Sequence, residues 1–167
     1  YKDVNNWWII KRPNREDLAV QEPIDRIKHG DVIQIVHGLT HRALNSHDVA
    51  APVSPQAQEV SCYIDYNISM AAENLWRVDI INREAAGEVW HTINSQVRLI
   101  HVNTTAALRF TGKNFPEWGF MQLEVASDRN IQQADTVWNV EEHRYTQNDK
   151  DKGTIEKEMM THELIPE

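Results

Sequence analysis

Apolar positions in this chain come in short runs rather than in a helical stripe. Asp31-Val32-Ile33-Gln34-Ile35-Val36, Glu59-Val60-Ser61-Cys62-Tyr63-Ile64, Leu75-Trp76-Arg77-Val78-Asp79-Ile80-Ile81 and Gln96-Val97-Arg98-Leu99-Ile100-His101-Val102 are rich in β-branched residues and alternate in part with polar ones. That is the pattern of half-buried strands. Turn-forming clusters stand between them: Lys28-His29-Gly30-Asp31, Ala51-Pro52-Val53-Ser54-Pro55, Ala86-Gly87-Glu88 and Gly112-Lys113-Asn114-Phe115-Pro116. Short strands at roughly 8–12-residue spacing predict an all-β barrel or sandwich.

The pattern also repeats. Trp8, Trp76 and Trp138 recur at nearly equal intervals, and each is followed two positions later by Ile or Val. The stretch Ile35 to Leu44 is echoed by Leu99 to Leu108, with His, Thr, Ala and Leu identical at four positions. Gln58-Glu59-Val60 is answered by Gln122-Leu123-Glu124-Val125, with one residue inserted. Chance supplies one such echo, not all of them in the same order. Repetition of four-strand units at this interval predicts a β-trefoil, because propeller blades are shorter, about 40–45 residues. The spacing divides the chain into residues 1–27 (the end of unit one and a connector), 28–92 (unit two), 93–146 (unit three) and a charged tail, 147–167. Most of the first lobe is missing, which leaves strand edges without partners. The tail, with Asn148-Asp149-Lys150-Asp151-Lys152-Gly153 and few apolar residues, reads as a solvated linker with a short helix over 154–163.

Charge removes several function classes. A formal net charge of -8 and a pI near 5.5 leave no basic stripe for nucleic acid. No apolar run reaches the roughly 20 residues of a membrane span. The opening at Tyr1, without an initiator Met or signal peptide, reads as a piece of a longer protein. The single cysteine, Cys62, cannot form an internal disulfide and is expected to fill apolar space on a strand.

Leu44-Asn45-Ser46-His47-Asp48-Val49, Gln58-Glu59-Val60-Ser61-Cys62-Tyr63 and Asn74-Leu75-Trp76-Arg77-Val78 together resemble one MIR repeat, whose pattern is Leu-x-Ser-His, Gln-x-Val-x-x-Tyr and Asn-x-Trp. The run Ser46 to Ile68 and the phrase Val137-Trp138-Asn139-Val140-Glu141-Glu142-His143-Arg144-Tyr145 are similar to the MIR segment of the animal dolichyl-phosphate-mannose–protein mannosyltransferases. The resemblance covers about residues 1–146. It implies a three-unit trefoil in the lumen of the endoplasmic reticulum, carried by a membrane-embedded glycosyltransferase that moves mannose from dolichyl-phosphate mannose to Ser and Thr of secretory proteins. It further implies a second, related subunit in a heteromer and acceptors of the α-dystroglycan type. Unit three departs from the pattern: Phe110-Thr111-Gly112 stands where unit two has Ser46-His47-Asp48.

No catalytic residue is expected in this segment, and no cofactor. Adjacent residues on an extended chain point to opposite faces, so Ser46-His47-Asp48 cannot align as a nucleophilic triad. No metal-ligand spacing and no phosphate-binding glycine loop occurs. The family's catalytic carboxylate belongs to a different lumenal loop, to which nothing here corresponds. Binding is the better expectation: Ser46, His47, Asp48 and Tyr63, with Asn82 as an outsider, are the candidates for acceptor-protein or glycan recognition. The competing reading gives His47 and Asp48 to a turn and Tyr63 to packing. Trp8, Trp76 and Trp138 are expected as repeat core, whereas Trp90 and Trp118 fall outside the repeat. Two sequons, Asn67-Ile68-Ser69 and Asn103-Thr104-Thr105, become glycan acceptors if the segment is lumenal. Two further functions stay open: a soluble MIR protein of the cochaperone type that binds unfolded clients, and a trefoil lectin. The absence of Gln-x-Trp triplets counts against the lectin.

Overall fold

The computed structural model describes residues 7–13, 26–65, 72–114, 123–132, 134–147 and 156–163. Almost all of the regular structure is strand. β1 (Trp7–Lys11) closes unit one; β2 (Val32–His37), β3 (Arg42–Ala50), β4 (Gln58–Asp65) and β5 (Trp76–Ile80) form unit two. β6 (Val97–His101), β7 (Ala107–Asn114), β8 (Leu123–Asp128) and β9 (Asn139–Gln147) form unit three, followed by β10 (Glu156–Glu163). The only α-helix among the described residues, α1 (Arg83–Ala86), is a single turn after β5.

All strand pairs are antiparallel and form one sheet that closes on itself in two ways. The ring β2-β3-β4-β8-β7-β6-β5 is closed by the β2–β3 pairing. A second ring, β2-β1-β10-β9-β6-β5, is closed by the bridge between Val97 and Trp138. The second ring is the six-stranded barrel of a β-trefoil; the hairpins β3–β4 and β7–β8, joined where Gln58 and Glu59 face Ser127 and Ala126, cap it. Closure removes the open sheet edges that favour aggregation.

Units two and three are built to one plan. The Trp76 indole donates to the Leu44 carbonyl at 2.9 Å, and the Trp138 indole donates to the Leu108 carbonyl at 2.9 Å. Each unit's first strand ends in a histidine bonded to a threonine three positions on: His37 Nδ1 to Thr40 Oγ1 at 3.0 Å, His101 Nδ1 to Thr104 Oγ1 at 2.7 Å. Each of these rings packs on the preceding unit's tryptophan, Trp8 on His37 and Trp76 on His101, with centroids 5.0 Å apart in both cases. The turn after each histidine uses a left-handed residue, His41 (φ 58°) and Thr105 (φ 61°). The core gathers Ile33, Ile35, Trp76, Val78, Ile80, Val97, Leu99, Leu108, Trp138 and Val140, with Trp8 and Cys62 packed half-buried against it. Removing that apolar surface from water is the main stabilising term.

The tail departs from expectation. Where the sequence reads as a linker with a short helix, residues 156–163 form β10, which pairs with β1 on one side and β9 on the other. Two strands with unpaired edges flank a gap one strand wide. Backbone pairing on both sides of that gap outweighs the weak helical preference of a short, mostly polar segment.

Candidate functional site

The Ser-His-Asp run lies on β3, not in a turn. The β3–β4 ladder runs Ser46 opposite Val60 and then Ala50 opposite Gln58, so four steps on β3 match two on β4. The surplus residues form a bulge at His47, Asp48 and Val49. Bulges of this kind re-aim side chains next to functional sites. Burial changes abruptly across it: Ser46 is 0 % exposed, His47 half-buried, Asp48 and Val49 exposed.

Ser46 and His47 have separate partners. The Ser46 hydroxyl donates to the Glu59 carbonyl at 2.8 Å and shares a 2.7 Å bond with the Ser127 hydroxyl of unit three. His47 Nδ1 lies 3.8 Å from Glu59 Oε1 on the outer face. The seam continues from Ser127 to Gln58 Oε1 at 3.4 Å, and from Gln58 Nε2 to Asp48 Oδ1 at 3.5 Å, ending at Asp48–Arg129, 3.3 Å, in solvent. Ser46 therefore anchors the bulge from within, Asp48 stands at its surface beside Arg129, and His47, with a quarter of its side chain exposed, lies beside Glu59. Tyr63 belongs to β4, but its side chain lies outside the described residues, as do Asn67 and Trp118. Asn82 is remote from this cluster in the chain and serves backbone: its amide donates to the Asn94 carbonyl at 2.8 Å and accepts from the Gln96 amide at 2.8 Å, clipping the connection from α1 to β6.

Unit three repeats the bulge, Phe110 opposite Val125 and then Asn114 opposite Leu123, but fills it differently. Arg109, the repeat counterpart of Asn45, binds Asp128 at 2.7 Å and Asp135 at 3.0 Å. Thr111, in the place of His47, donates to Glu124 Oε1 at 2.9 Å. Glu124 is 0 % exposed and reaches into unit two, where Oε2 accepts from the Val53 amide at 2.9 Å and the Ser54 amide at 3.3 Å. Burial pushes its pKa up, but the hydrogen bonds from Ser54, Thr111 and Val53 outweigh that and hold it below the ordinary value of 4.5. Glu124 was not legible as a site residue, because its partners lie in the other unit, far away in the chain.

Among the described residues, two other titratable groups are perturbed. Burial lowers the His101 pKa; its Nε2 bonds the Glu73 carbonyl at 2.8 Å, so Nε2 carries the proton and Nδ1 accepts from Thr104. Burial pushes the Cys62 thiol up to about 12, which makes it an inert apolar filler rather than a nucleophile. Asn103 is exposed at the turn between β6 and β7. Among the described residues no three His, Cys, Asp or Glu side chains converge as a metal set, and no helix is long and apolar enough to cross a membrane.

A sequence profile of the MIR domain matches residues 1–159. Protein O-mannosyltransferase 1 of Drosophila pseudoobscura pseudoobscura is 60% identical over 166 residues, covering 99% of this chain and 18% of that protein. The chain thus spans about a fifth of the length of the curated relatives it matches. Among solved structures, the SDF2-like protein of Arabidopsis thaliana superposes with a TM-score of 0.69 at 31% identity, over 83% of this chain and 71% of that one. The S. cerevisiae protein O-mannosyltransferase Pmt1-Pmt2 complex, bound to the sugar donor, shares the fold with a TM-score of 0.75 at 24% identity, over 100% of this chain and 22% of that one. With its β-trefoil architecture, the Leu-x-Ser-His bulge and the Asn-x-Trp anchor, this chain belongs to the MIR domain family, in the sequence neighbourhood of protein O-mannosyltransferase 1.

Proposed function

We propose that this chain is the non-catalytic, lumenal MIR segment of a protein O-mannosyltransferase of the endoplasmic reticulum membrane, and that unit two recognises the acceptor protein or its glycan. The parent enzyme would transfer mannose from dolichyl-phosphate mannose to Ser and Thr of secretory proteins, of which α-dystroglycan is the type, working with a second O-mannosyltransferase subunit. The observation that carries the recognition role is the asymmetry of the two bulges. Unit three ties its bulge down with Thr111 and Glu124, whereas unit two, over a buried anchor, Ser46, brings Asp48 to the surface and leaves His47 partly exposed beside Glu59. A hydrogen-bonding imidazole and a carboxylate on a rigid strand suit a polyhydroxylated or peptide ligand. Tyr63, on the neighbouring strand, is the proposed aromatic partner. Asn82, committed to the α1–β6 connection, contributes shape rather than contact. A role in subunit arrangement would use the same outer surface.

The test places His47→Ala with Tyr63→Ala in the full-length enzyme with its partner subunit, and measures mannose transfer by microsomes, normalised to intact heteromer. A selective loss of transfer is expected. Unchanged transfer with unchanged assembly would remove the recognition role and leave architecture.

A second reading, a soluble MIR protein holding unfolded clients, draws on the likeness to the Arabidopsis SDF2-like protein. The 60% identity across 99% of the chain to an O-mannosyltransferase favours the first. Asn103, exposed in a tight turn and followed by Thr105, is the proposed glycan acceptor in the described part, with Asn67 as the second. A mobility shift on deglycosylation that disappears in Asn103→Gln tests the former.

A further inference from the structure

Units two and three enter their first barrel strand by the same hydrogen bond but with contrasting residues. Ahead of β2, the Gly30 amide donates to the Val78 carbonyl at 2.7 Å; ahead of β6, the Ile93 amide donates to the Val140 carbonyl at 2.7 Å. Val78 and Val140 each stand two residues after their unit's anchor, Trp76 or Trp138. Gly30 and Ile93 therefore occupy one station of the repeat, with one residue inserted after Ile93. Both are left-handed, at φ 88° and 69°. Glycine adopts that region freely, whereas a β-branched residue there is an outlier, because its Cβ crowds the backbone.

Nothing in the described fold calls for an isoleucine at this station. A Cβ at Gly30 would meet no heavy atom within 4 Å, so a side chain there leaves the barrel for open space. Ile93 is accordingly 66% exposed, while the aliphatic residues of the barrel core are enclosed. Its backbone is clamped from β9: the Asn139 side-chain amide donates to the Ile93 carbonyl at 2.9 Å and to the Ser95 carbonyl at 3.1 Å. Unit two has the exposed Arg77 in the place of Asn139. The other left-handed non-glycine residues among those described, His41 and Thr105, are a matched pair in the turns after the two histidines and carry polar side chains. Ile93 alone of the three combines the strained backbone with an exposed apolar side chain. Strained residues that their surroundings hold in place cluster at clamps and switch regions, where the side chain meets something outside the fold.

We propose that Ile93 is the apolar anchor of a docking contact with a folded protein surface of the O-mannosyltransferase assembly, seated in an apolar pocket of that surface. The exposed Ile81 belongs to the same junction: its amide donates to the Gln96 carbonyl at 2.9 Å, and Asn82 ties Asn94 and Gln96 beside it. Asn94 and Gln96 are themselves exposed and supply hydrogen-bonding groups around the anchor. An apolar centre with a polar rim is the anatomy of a protein interface. The charges favour protein over lipid. Residues 81–96 carry Arg83, Glu84 and Glu88 and no lysine. Anionic headgroups repel such a junction, and so little apolar surface does not hold a protein on a neutral membrane. The proposal rests on the reading of the chain as an O-mannosyltransferase segment and is independent of any role for His47 or Tyr63 in recognition.

Two measurements separate the strain from the contact. In the 167-residue chain, Ile93→Gly is expected to raise the thermal midpoint by about 2 °C, because the backbone then suits its residue. A lowered midpoint would overturn the proposal, since the isoleucine would be serving the fold. The second measurement places a photo-crosslinking amino acid at position 93 of the full-length enzyme, in microsomes with its partner subunit. The same group at Leu39, 63% exposed, is the control. Irradiation is expected to join position 93, severalfold more than position 39, to one site on the polypeptides of the assembly, located by peptide mass spectrometry. Adducts with lipid alone, adducts with acceptor protein alone, or equal yields at the two positions would overturn the proposal. Mannose transfer by microsomes carrying the unsubstituted enzyme is read alongside. Transfer without a crosslink at 93 defeats the anchor alone, whereas no transfer defeats the reading on which it rests.

Discussion

Units two and three share a backbone to within details, down to the indole–carbonyl bond, the His–Thr pair and the bulge on the second strand. They differ in what the bulge holds. In unit two the position of Arg109 is occupied by Asn45, whose side chain accepts from the Ser61 hydroxyl at 2.9 Å and donates to the Ala43 carbonyl at 3.3 Å, and beyond the buried Ser46 the bulge brings Asp48 and Val49 to the surface. In unit three, Arg109 ties two aspartates and Thr111 ties Glu124. Duplication preserved the parts that define the barrel and left the bulges to diverge. One became a surface, the other a fastening between lobes.

The largest effect should come from the shared anchors. Trp76→Ala is expected to cost about 3–5 kcal/mol in a denaturant titration, because the ring is 0% exposed and its hydrogen bond is lost with it. Trp138→Ala should fall at the low end of that range. Its ring lines a small apolar cavity with Ile10, Ile35, Trp90, Leu99 and Val140, and already lacks contacts on one side. Equal costs would mean that the cavity closes in solution.

The bulges separate next. Arg109→Ala strands the carboxylates of Asp128 and Asp135, of which Asp128 is 8% exposed, and should cost about 2 kcal/mol once partial solvation is discounted. Asn45→Ala, at the matching position, should cost about 1 kcal/mol. If the two variants were equally destabilised, unit three's ion network would not be the fastening described.

Acid acts on unit three in two steps. His101 is buried and neutral with a lowered pKa, so the unfolded chain binds its proton first, and stability should begin to fall as pH drops below 6.5. Glu124 has a lowered pKa, so its contribution is complete above 4.5 and is lost as pH falls below that value. Glu124→Gln should abolish the lower step and leave the upper one, as read by midpoint against pH. Loss of both steps together would show that the two groups are coupled.

Much of the barrel was legible because its determinants are local. The four identities in the echo of Ile35–Leu44 by Leu99–Leu108 all have mechanical roles: the histidines and threonines pair, the alanines are 0% exposed, and the leucine carbonyls receive the indoles. The site was less legible. Ser46 meets Ser127 and Glu124 meets Val53 across the boundary between units, so no window of sequence contains either pair. Leu-x-Ser-His marks the position of the bulge but not its two extra residues. β10 was hidden for another reason: it is a strand by virtue of the edges beside it, and its own residues carry no strand pattern.

The smallest effect is also the one that keeps the two bulges apart. Arg129 binds Asp48 at 3.3 Å, with side chains 60% and 72% exposed. Exposed pairs of this kind contribute about 0–1 kcal/mol and are screened by salt. Arg129→Ala should therefore move the unfolding midpoint by no more than about 0.5 kcal/mol, a shift that vanishes in high salt, while Arg109→Ala stays costly there because its partners are largely enclosed. Both arginines belong to unit three, yet one faces inward along the ladder and the other crosses to unit two's outer surface. If Arg129→Ala were as destabilising as Arg109→Ala, Asp48 would be part of the fastening and unavailable to a ligand. A near-neutral result leaves the Asp48 carboxylate free to exchange its arginine for an acceptor.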